Sequence, residues 1–306
     1  MALFCVFFLL FTNGQKNCGQ LPARLFYYIA KVQARGGIFV AFSGLDSTKI
    51  QHIAENTERQ DFFMDSLYIV IPAYNEEATI LDVINGWYPV VERYHGNWAS
   101  RLVIINDGSK DRTAQILEEA ARSRPLLVPI TKENSGHGAT VLFGYQYALA
   151  HGADYVFQTD SDGQTLPEEF DNFWLFRQDY DMVIGHRKDR QDGLSRKIVT
   201  KTLKAVIRLC FGVSVTDANT PFRLMRADTL SKYLPLIPEN FNLSNVLLSV
   251  IYAKKQLQVC YLPITFRPRQ GGTNSINLPK IIRIGRQAVK DFWAFRRTLR
   301  DDSGTM

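Results

Sequence analysis

The sequence predicts an α/β domain with a mostly parallel sheet flanked by helices, and three observations predict it. From Ser66 onward, short apolar runs alternate with segments of helical pattern, as strand–helix–strand units require. The runs are apolar without interruption, which is expected of strands buried on both faces. Each of several runs ends in a cluster of Asp, Asn, Gly and Ser, the residues of tight turns.

The elements follow in order. Leu67-Tyr68-Ile69-Val70-Ile71-Pro72 reads as a buried strand and Glu76 to Val91 as a helix. Leu102-Val103-Ile104-Ile105 is a second strand, ending at Asn106-Asp107-Gly108-Ser109, and Asp111 to Arg122 is a helix with a polar start. Leu126 to Ile130 gives a third strand, Gly138 to Ala150 a helix, and Tyr155-Val156-Phe157 a fourth strand that runs into Gln158-Thr159-Asp160-Ser161-Asp162. Met182-Val183-Ile184-Gly185 is a fifth strand. Residues 1–65 form an extension with an apolar start, Met1 to Phe11, which is about half the length that spans a bilayer.

The 306 residues are 46% hydrophobic, which fits a packed globular chain. Four scattered cysteines form no CxxC pair, so free thiols in a reducing compartment are expected, without a disulfide framework or zinc site. The net charge of +6 is concentrated after Arg187. A local basic excess suits an anionic lipid, a phosphorylated ligand or nucleic acid, but no helix-turn-helix or RNP-type pattern supports the last.

Three polar motifs sit just past the carboxyl ends of strands: Pro72 to Glu76, Asn106 to Ser109, and Asp160 to Asp162. Open α/β sheets bind ligands there, so the motifs describe one crevice. Asp160 and Asp162 repel each other at short range unless a cation offsets the cost. Mg²⁺ or Mn²⁺ prefers such oxygen ligands and commonly bridges a carboxylate to substrate phosphates; Gln164 can supply another oxygen.

These residues carry a resemblance. Ile71-Pro72-Ala73-Tyr74-Asn75-Glu76-Glu77, Asn106-Asp107-Gly108-Ser109 with Asp111 and Thr113, and Asp160-Ser161-Asp162-Gly163-Gln164 together resemble glycosyltransferase family 2 over roughly 66–275. The D-x-D-x-Q form resembles its dolichyl- and polyprenyl-phosphate sugar transferases. The resemblance implies a Rossmann-like GT-A domain that binds a UDP- or GDP-sugar and inverts the anomeric carbon. It implies that Pro72, Tyr74 and Glu76 line the base and ribose pocket with Asp107 on the base. Asp160 and Ser161 would lie by the ribose and diphosphate, and Asp160, Asp162 and Gln164 would serve the metal. One departure is Asn106, where the family usually has an acid.

The resemblance also bears on the acceptor. Gly185-His186-Arg187, Arg196, and Arg269 within Phe266 to Ser275 match or neighbour positions at which relatives hold a lipid phosphate. Arginine forks suit phosphate oxygens. Asp217 and Arg223, in Asp217-Ala218-Asn219-Thr220-Pro221-Phe222-Arg223-Leu224, can shape the acceptor side or form a structural ion pair. A polyprenyl phosphate acceptor needs no general base, whereas a saccharide hydroxyl would need one, with Asp217 or Glu239 available. A third reading is a non-catalytic nucleotide-sugar-binding subunit, against which the intact acids argue. Two basic amphipathic stretches are expected: residues 197–210, packed on the sheet, and residues 276–306, whose stripe of Ile281, Ile284, Ala288, Phe292 and Phe295 suits a membrane surface. The expectation is peripheral attachment to the cytoplasmic face of a membrane.

Overall fold

A computed structural model describes residues 65–187, 194–239, 241–268, 287 and 289–296, with backbone alone over 194–201. The chain divides into two units, Met1–Arg59 and Gln60–Met306, and every described residue lies in the second. The expected extension over 1–65 is therefore outside the described residues, apart from Asp65.

Seven strands form one sheet: β1 (Leu67–Ala73), β2 (Arg101–Asp107), β3 (Leu127–Lys132), β4 (Tyr155–Thr159), β5 (Met182–Arg187), β6 (Phe222–Arg226) and β7 (Val259–Ile264), in the order β3-β2-β1-β4-β6-β5-β7. The pairs β1–β2, β2–β3, β1–β4 and β5–β7 are parallel, while β6 runs antiparallel to both β4 and β5. All seven residues of β1 are buried, as its unbroken apolar run requires. The helices are α1 (Ile80–Arg93), α2 (Thr113–Ala121), α3 (His137–Ala150), α4 (Phe170–Trp174), α5 (Leu194–Phe211), α6 (Ala227–Tyr233) and α7 (Ser244–Lys254). The expected mostly parallel sheet with flanking helices is what forms. Helix α1 begins four residues later than expected, because Glu76 to Thr79 belong to the polar turn after β1.

Strands β6 and β7 were not anticipated. Arg223 breaks the apolar run of β6, and Pro263 interrupts β7, which lies at the sheet edge where a missing N–H is tolerated. Side chains alternate across the sheet. On one face Phe157 and Phe222 meet Trp87, Phe170 and Phe173 in edge and tilted ring contacts. On the other, Val70, Val103, Val156 and Met225 pack under α3, α5 and α7.

The 197–210 stretch lies in α5 and, over its described side chains, packs as expected: Ile207 and Cys210 are buried while Lys204 and Arg208 face water. The second stretch requires a correction. In the helical segment 289–296, Phe292 and Phe295 are buried and contact Phe211, and Phe292 stacks on Phe241. These rings belong to the core; a periodic apolar stripe does not tell a membrane face from a face covering a neighbouring element. Ile281, Ile284 and Ala288 are outside the described residues.

Gly138, in the first turn of α3, allows the helix to touch the backbone before α7: a Cβ there would lie 2.2 Å from the Phe241 carbonyl oxygen. That oxygen is main chain and cannot swing away. Gly138→Ala is expected to cost about 1–3 kcal/mol of stability, measured by denaturant unfolding.

Candidate functional site

The sheet order reverses between β1 and β4. From β1 the strands proceed through β2 to β3 on one side, and from β4 through β6, β5 and β7 on the other. Ligands of open α/β sheets lie at such a switch point, outside the carboxyl ends of the strands. A cleft of about 380 Å³ lies there, lined by Pro72, Ala73, Tyr74 and Glu76 after β1, Asp107 at the end of β2, Asn134, Gly136, His137 and Thr140 around the start of α3, and Asp160, Ser161 and Asp162 after β4. The three expected motifs do converge. Gln164 and Arg187 are not among the cleft-lining residues.

The floor of the cleft is built by side chains that serve the backbone. Asn75 adopts φ 55°, a left-handed conformation that Asn tolerates better than most residues. Its N–H donates to Ser109 Oγ at 2.9 Å, and its Oδ1 accepts from Lys110 N at 2.8 Å, tying the first turn to the second. Glu76 is buried, with its N–H donating to Thr113 Oγ1 at 2.9 Å and its Oε2 accepting from Thr79 Oγ1 at 3.0 Å. Asn106, the departure from the family pattern, is buried and closes its own turn by accepting Ser109 N at 3.1 Å. Its amide also donates to Thr131 Oγ1 at 3.3 Å.

Asp107 caps α3. Its Oδ1 accepts from Ser135 N at 2.9 Å and from Lys132 Nζ, and its Oδ2 accepts from Gly136 N at 2.9 Å. Backbone N–H groups ahead of a helix favour negative charge. Burial alone would raise the Asp107 pKa, but Lys132 and these donors prevail and hold it below the usual carboxylate value.

Asp160 is held from two sides: Oδ1 accepts from Gln158 Nε2 at 3.0 Å and lies 3.2 Å from His137 Nε2. His137 is half-exposed, and Asp160, Asp162 and Asp107 raise its imidazole pKa above the usual value. The shift favours the protonated ring, whose charge is opposite to that of the paired acids. Gln158 is fully buried, and behind it Asn245 Nδ2 donates to Gln158 Oε1 at 3.0 Å while Tyr145 Oη donates to Asn245 Oδ1 at 3.2 Å. A directed chain of hydrogen bonds thus runs from the core to the carboxylate.

The donor set at Asp160 and Asp162 suits a hard divalent cation. Among the described residues no group of three or more His, Cys, Asp or Glu side chains converges as a metal cage. The two carboxylates therefore fit a cation that takes its other oxygens from a ligand, as Mg²⁺ shared with phosphates does. Gln164 uses its amide nitrogen on the Arg267 carbonyl at 2.8 Å, and its N–H on Asp162 Oδ1 at 3.1 Å.

The expected acceptor-side residues separate. Arg187 makes a two-point pair with Asp217, Nε to Oδ2 at 3.0 Å and Nη2 to Oδ1 at 2.8 Å, and its guanidinium lies over Phe266 at 5.0 Å. The structural ion pair considered for Asp217 forms, with Arg187 as the partner. Arg223 instead donates to the carbonyls of Ala218, Thr220 and Asn245. Of Arg196 only the backbone in α5 is described, and Arg269 lies outside the described residues. Sequence reasoning missed Asn134, Gly136, His137 and Thr140, although Asn134-Ser135-Gly136-His137 follows the third strand just as the other motifs follow theirs. Gln158 and Asn245 gave no signal, being single polar residues within apolar elements.

Comparison with known proteins adds to this geometry. The profile described as "Glycosyl transferase family 2" matches residues 68–234. An undecaprenyl-phosphate 4-deoxy-4-formamido-L-arabinose transferase of Pectobacterium atrosepticum is 28% identical over 200 residues, 61% of this chain and 60% of that protein. The protein of the same name from Proteus mirabilis is 26% identical over 205 residues, 63% of this chain and 61% of that one. The match thus spans about three fifths of these relatives' length. Among solved structures, glucosyl-3-phosphoglycerate synthase from Mycobacterium tuberculosis with phosphoglyceric acid superposes with a TM-score of 0.55 at 18% identity, covering 76% of this chain and 80% of that one. The same enzyme with Mn²⁺ and UDP-glucose gives 0.54 at 18% identity, covering 76% and 79%. At this identity the likeness speaks for the fold alone, which is the GT-A fold expected from the sequence.

The lowered Asp107 pKa sets a pH dependence. Its contribution to stability is full above the unfolded carboxylate value, about pH 4, and is lost as pH falls through the lower folded value. Asp107→Asn is expected to flatten the acid limb of stability against pH, as read from thermal unfolding between about pH 3 and pH 6.

Proposed function

The chain belongs to glycosyl transferase family 2, and from that premise we propose that it transfers a sugar, with inversion, from a UDP- or GDP-sugar to a polyprenyl phosphate at a membrane surface. The observation that carries this reading is the pair Asp160 and Asp162 facing the cleft at the sheet's switch point. The names of the Pectobacterium and Proteus relatives support the acceptor class, and the family itself supports a nucleotide-sugar donor.

Tyr74, 44% exposed at the rim, offers a ring face to the nucleobase. Pro72, Glu76 and Asp107 define the base and ribose end, and Ser161 lies beside the diphosphate. Asp160 and Asp162 would hold Mg²⁺ or Mn²⁺, which when bound neutralises the diphosphate and stabilises it as the leaving group. Gln158 and His137 orient Asp160.

The acceptor chemistry also fits the side chains around the cleft. A phosphate monoester, with a second pKa near 6, is largely dianionic at neutral pH and attacks without a base. A saccharide hydroxyl would need a base. Asp217 suits that role poorly, because Arg187 occupies both its oxygens, and Glu239 is exposed outside the cleft lining. Arg187, Arg196 and Arg269 are the proposed acceptor-phosphate side.

Phe292 and Phe295 face the core, so a membrane surface would be met by the residues that remain outside. Trp293 is 52% exposed with the Arg296 guanidinium 5.4 Å over its ring, and Leu209 is 77% exposed beside exposed Arg208. Exposed tryptophan and leucine, each with an arginine near it in sequence, suit an anionic interface. Among the described residues no helix is long and apolar enough to cross a membrane.

Two experiments test this. Purified protein incubated with radiolabelled UDP- and GDP-sugars, Mn²⁺ and a short polyprenyl phosphate should yield lipid-extractable label. EDTA should abolish it, and Asp162→Ala should reduce it roughly 100-fold or more; absence of label with every donor overturns the reading. Trp293→Ala is expected to lower co-sedimentation with phosphatidylglycerol vesicles by about three- to tenfold, with the fold unchanged by circular dichroism.

A further inference from the structure

The turn that carries the paired acids is stitched to the segment after β7, and Gln164 is the stitch. Gly163, at φ 69°, reverses the chain after Asp162, a conformation that glycine adopts without strain. Gln164 then points two ways. Its own N–H donates back to Asp162 Oδ1 at 3.1 Å. Its carbonyl accepts Arg267 N at 2.8 Å, and its side-chain Nε2 donates to the Arg267 carbonyl at 2.8 Å. A second stitch lies beside it, where Thr265 N donates to Glu169 Oε1 at 2.9 Å and Oε2 at 3.1 Å. Between the two stitches stands Phe266, whose ring carries the Arg187 guanidinium, and Arg187 in turn holds Asp217.

A cation can use only the oxygen of a glutamine side chain. Gln164 spends its amide nitrogen on the Arg267 carbonyl, which leaves its side-chain oxygen open. We propose that Gln164 is a positioning residue: its amide nitrogen latches the Asp160–Asp162 turn to residues 265–268. It thereby sets the placement of the donor-binding acids relative to Phe266 and Arg187. Speaking of a donor and an acceptor side rests on the function proposed above; the latch itself rests on the hydrogen bonds alone.

Two substitutions separate the roles, because they divide the chemistry of the amide. Gln164→Glu keeps oxygens for a cation but loses the donor and sets a carboxylate against the Arg267 carbonyl. Gln164→Lys keeps a donor of similar reach and removes the oxygen. Hydrogen–deuterium exchange at the Thr265 and Arg267 amides reads the latch in the unliganded protein, and calorimetry with UDP and Mn²⁺ reads the acids. Gln164→Glu is expected to speed exchange at both amides about five- to tenfold and to leave UDP–Mn²⁺ affinity near that of the parent. Gln164→Lys is expected to leave exchange near the parent rate. The proposal is overturned if Gln164→Glu exchanges at the parent rate. It is also overturned if Gln164→Lys, which keeps a donor, speeds exchange as much as Gln164→Glu does. Neither readout involves a lipid acceptor, so a failure of the polyprenyl phosphate assay and a failure of the latch are separate results.

Discussion

Arg223 has no exposed surface, and its guanidinium is satisfied by oxygens of the chain around it. Its nitrogens donate to the carbonyls of Ala218, Thr220 and Asn245, and one lies 3.4 Å from Ser249 Oγ. Burial depresses its pKa, and a buried cation is tolerated only where its donors are met. Meeting them fixes the loop before β6 and the start of α7 at once. The antiparallel register places Arg223 opposite Gln158, so Asn245 reaches both. From there the hydrogen bonds continue to Asp160. The orientation of a cleft carboxylate is thus set by a buried layer whose centre is an arginine.

The cleft depends equally on where strands end. β1 to β4 are mutually parallel neighbours, so their following turns share one edge of the sheet. β6 runs the other way, so its preceding loop, which holds Asp217, reaches the edge at which β5 delivers Arg187. The one direction reversal among the described strands therefore creates the Arg187–Asp217 pair. At 7% and 9% side-chain exposure this pair is nearly as dry as the core, and removing one partner would leave the other as an uncompensated charge.

Electrostatics within the cleft are graded along its length. At the Asp107 end, backbone donors and Lys132 satisfy the acid so fully that it acts as part of the scaffold. At the other end Asp160 and Asp162 lie two residues apart at the exit of a buried strand, with His137 beside Asp160. The first acid accepts the N–H groups just ahead of α3; the second and third line the cleft. The same residue type therefore serves two ends because the neighbouring donors differ.

The sequence by itself determined the parallel half of the sheet, from Leu67 to Thr159, because uninterrupted apolar runs and Gly–Asp–Asn turns are local signals. It also determined that three motifs share one crevice, since the carboxyl ends of parallel strands must lie on one edge. The Asn134 to His137 turn was equally legible by that rule. What only the tertiary structure decided involves partners distant in sequence. Arg223 and Pro263 mask β6 and β7 as strands until α7 and the sheet edge are in place. Phe292 and Phe295 have the periodicity of a surface-seeking stripe, and only Phe211 and Phe241 turn it inward. Arg187 and Gln164 have side chains with two possible uses each, phosphate or carboxylate and metal or carbonyl. Their sequence neighbours do not name the partners these side chains meet; the approach of Asp217 and Arg267 does.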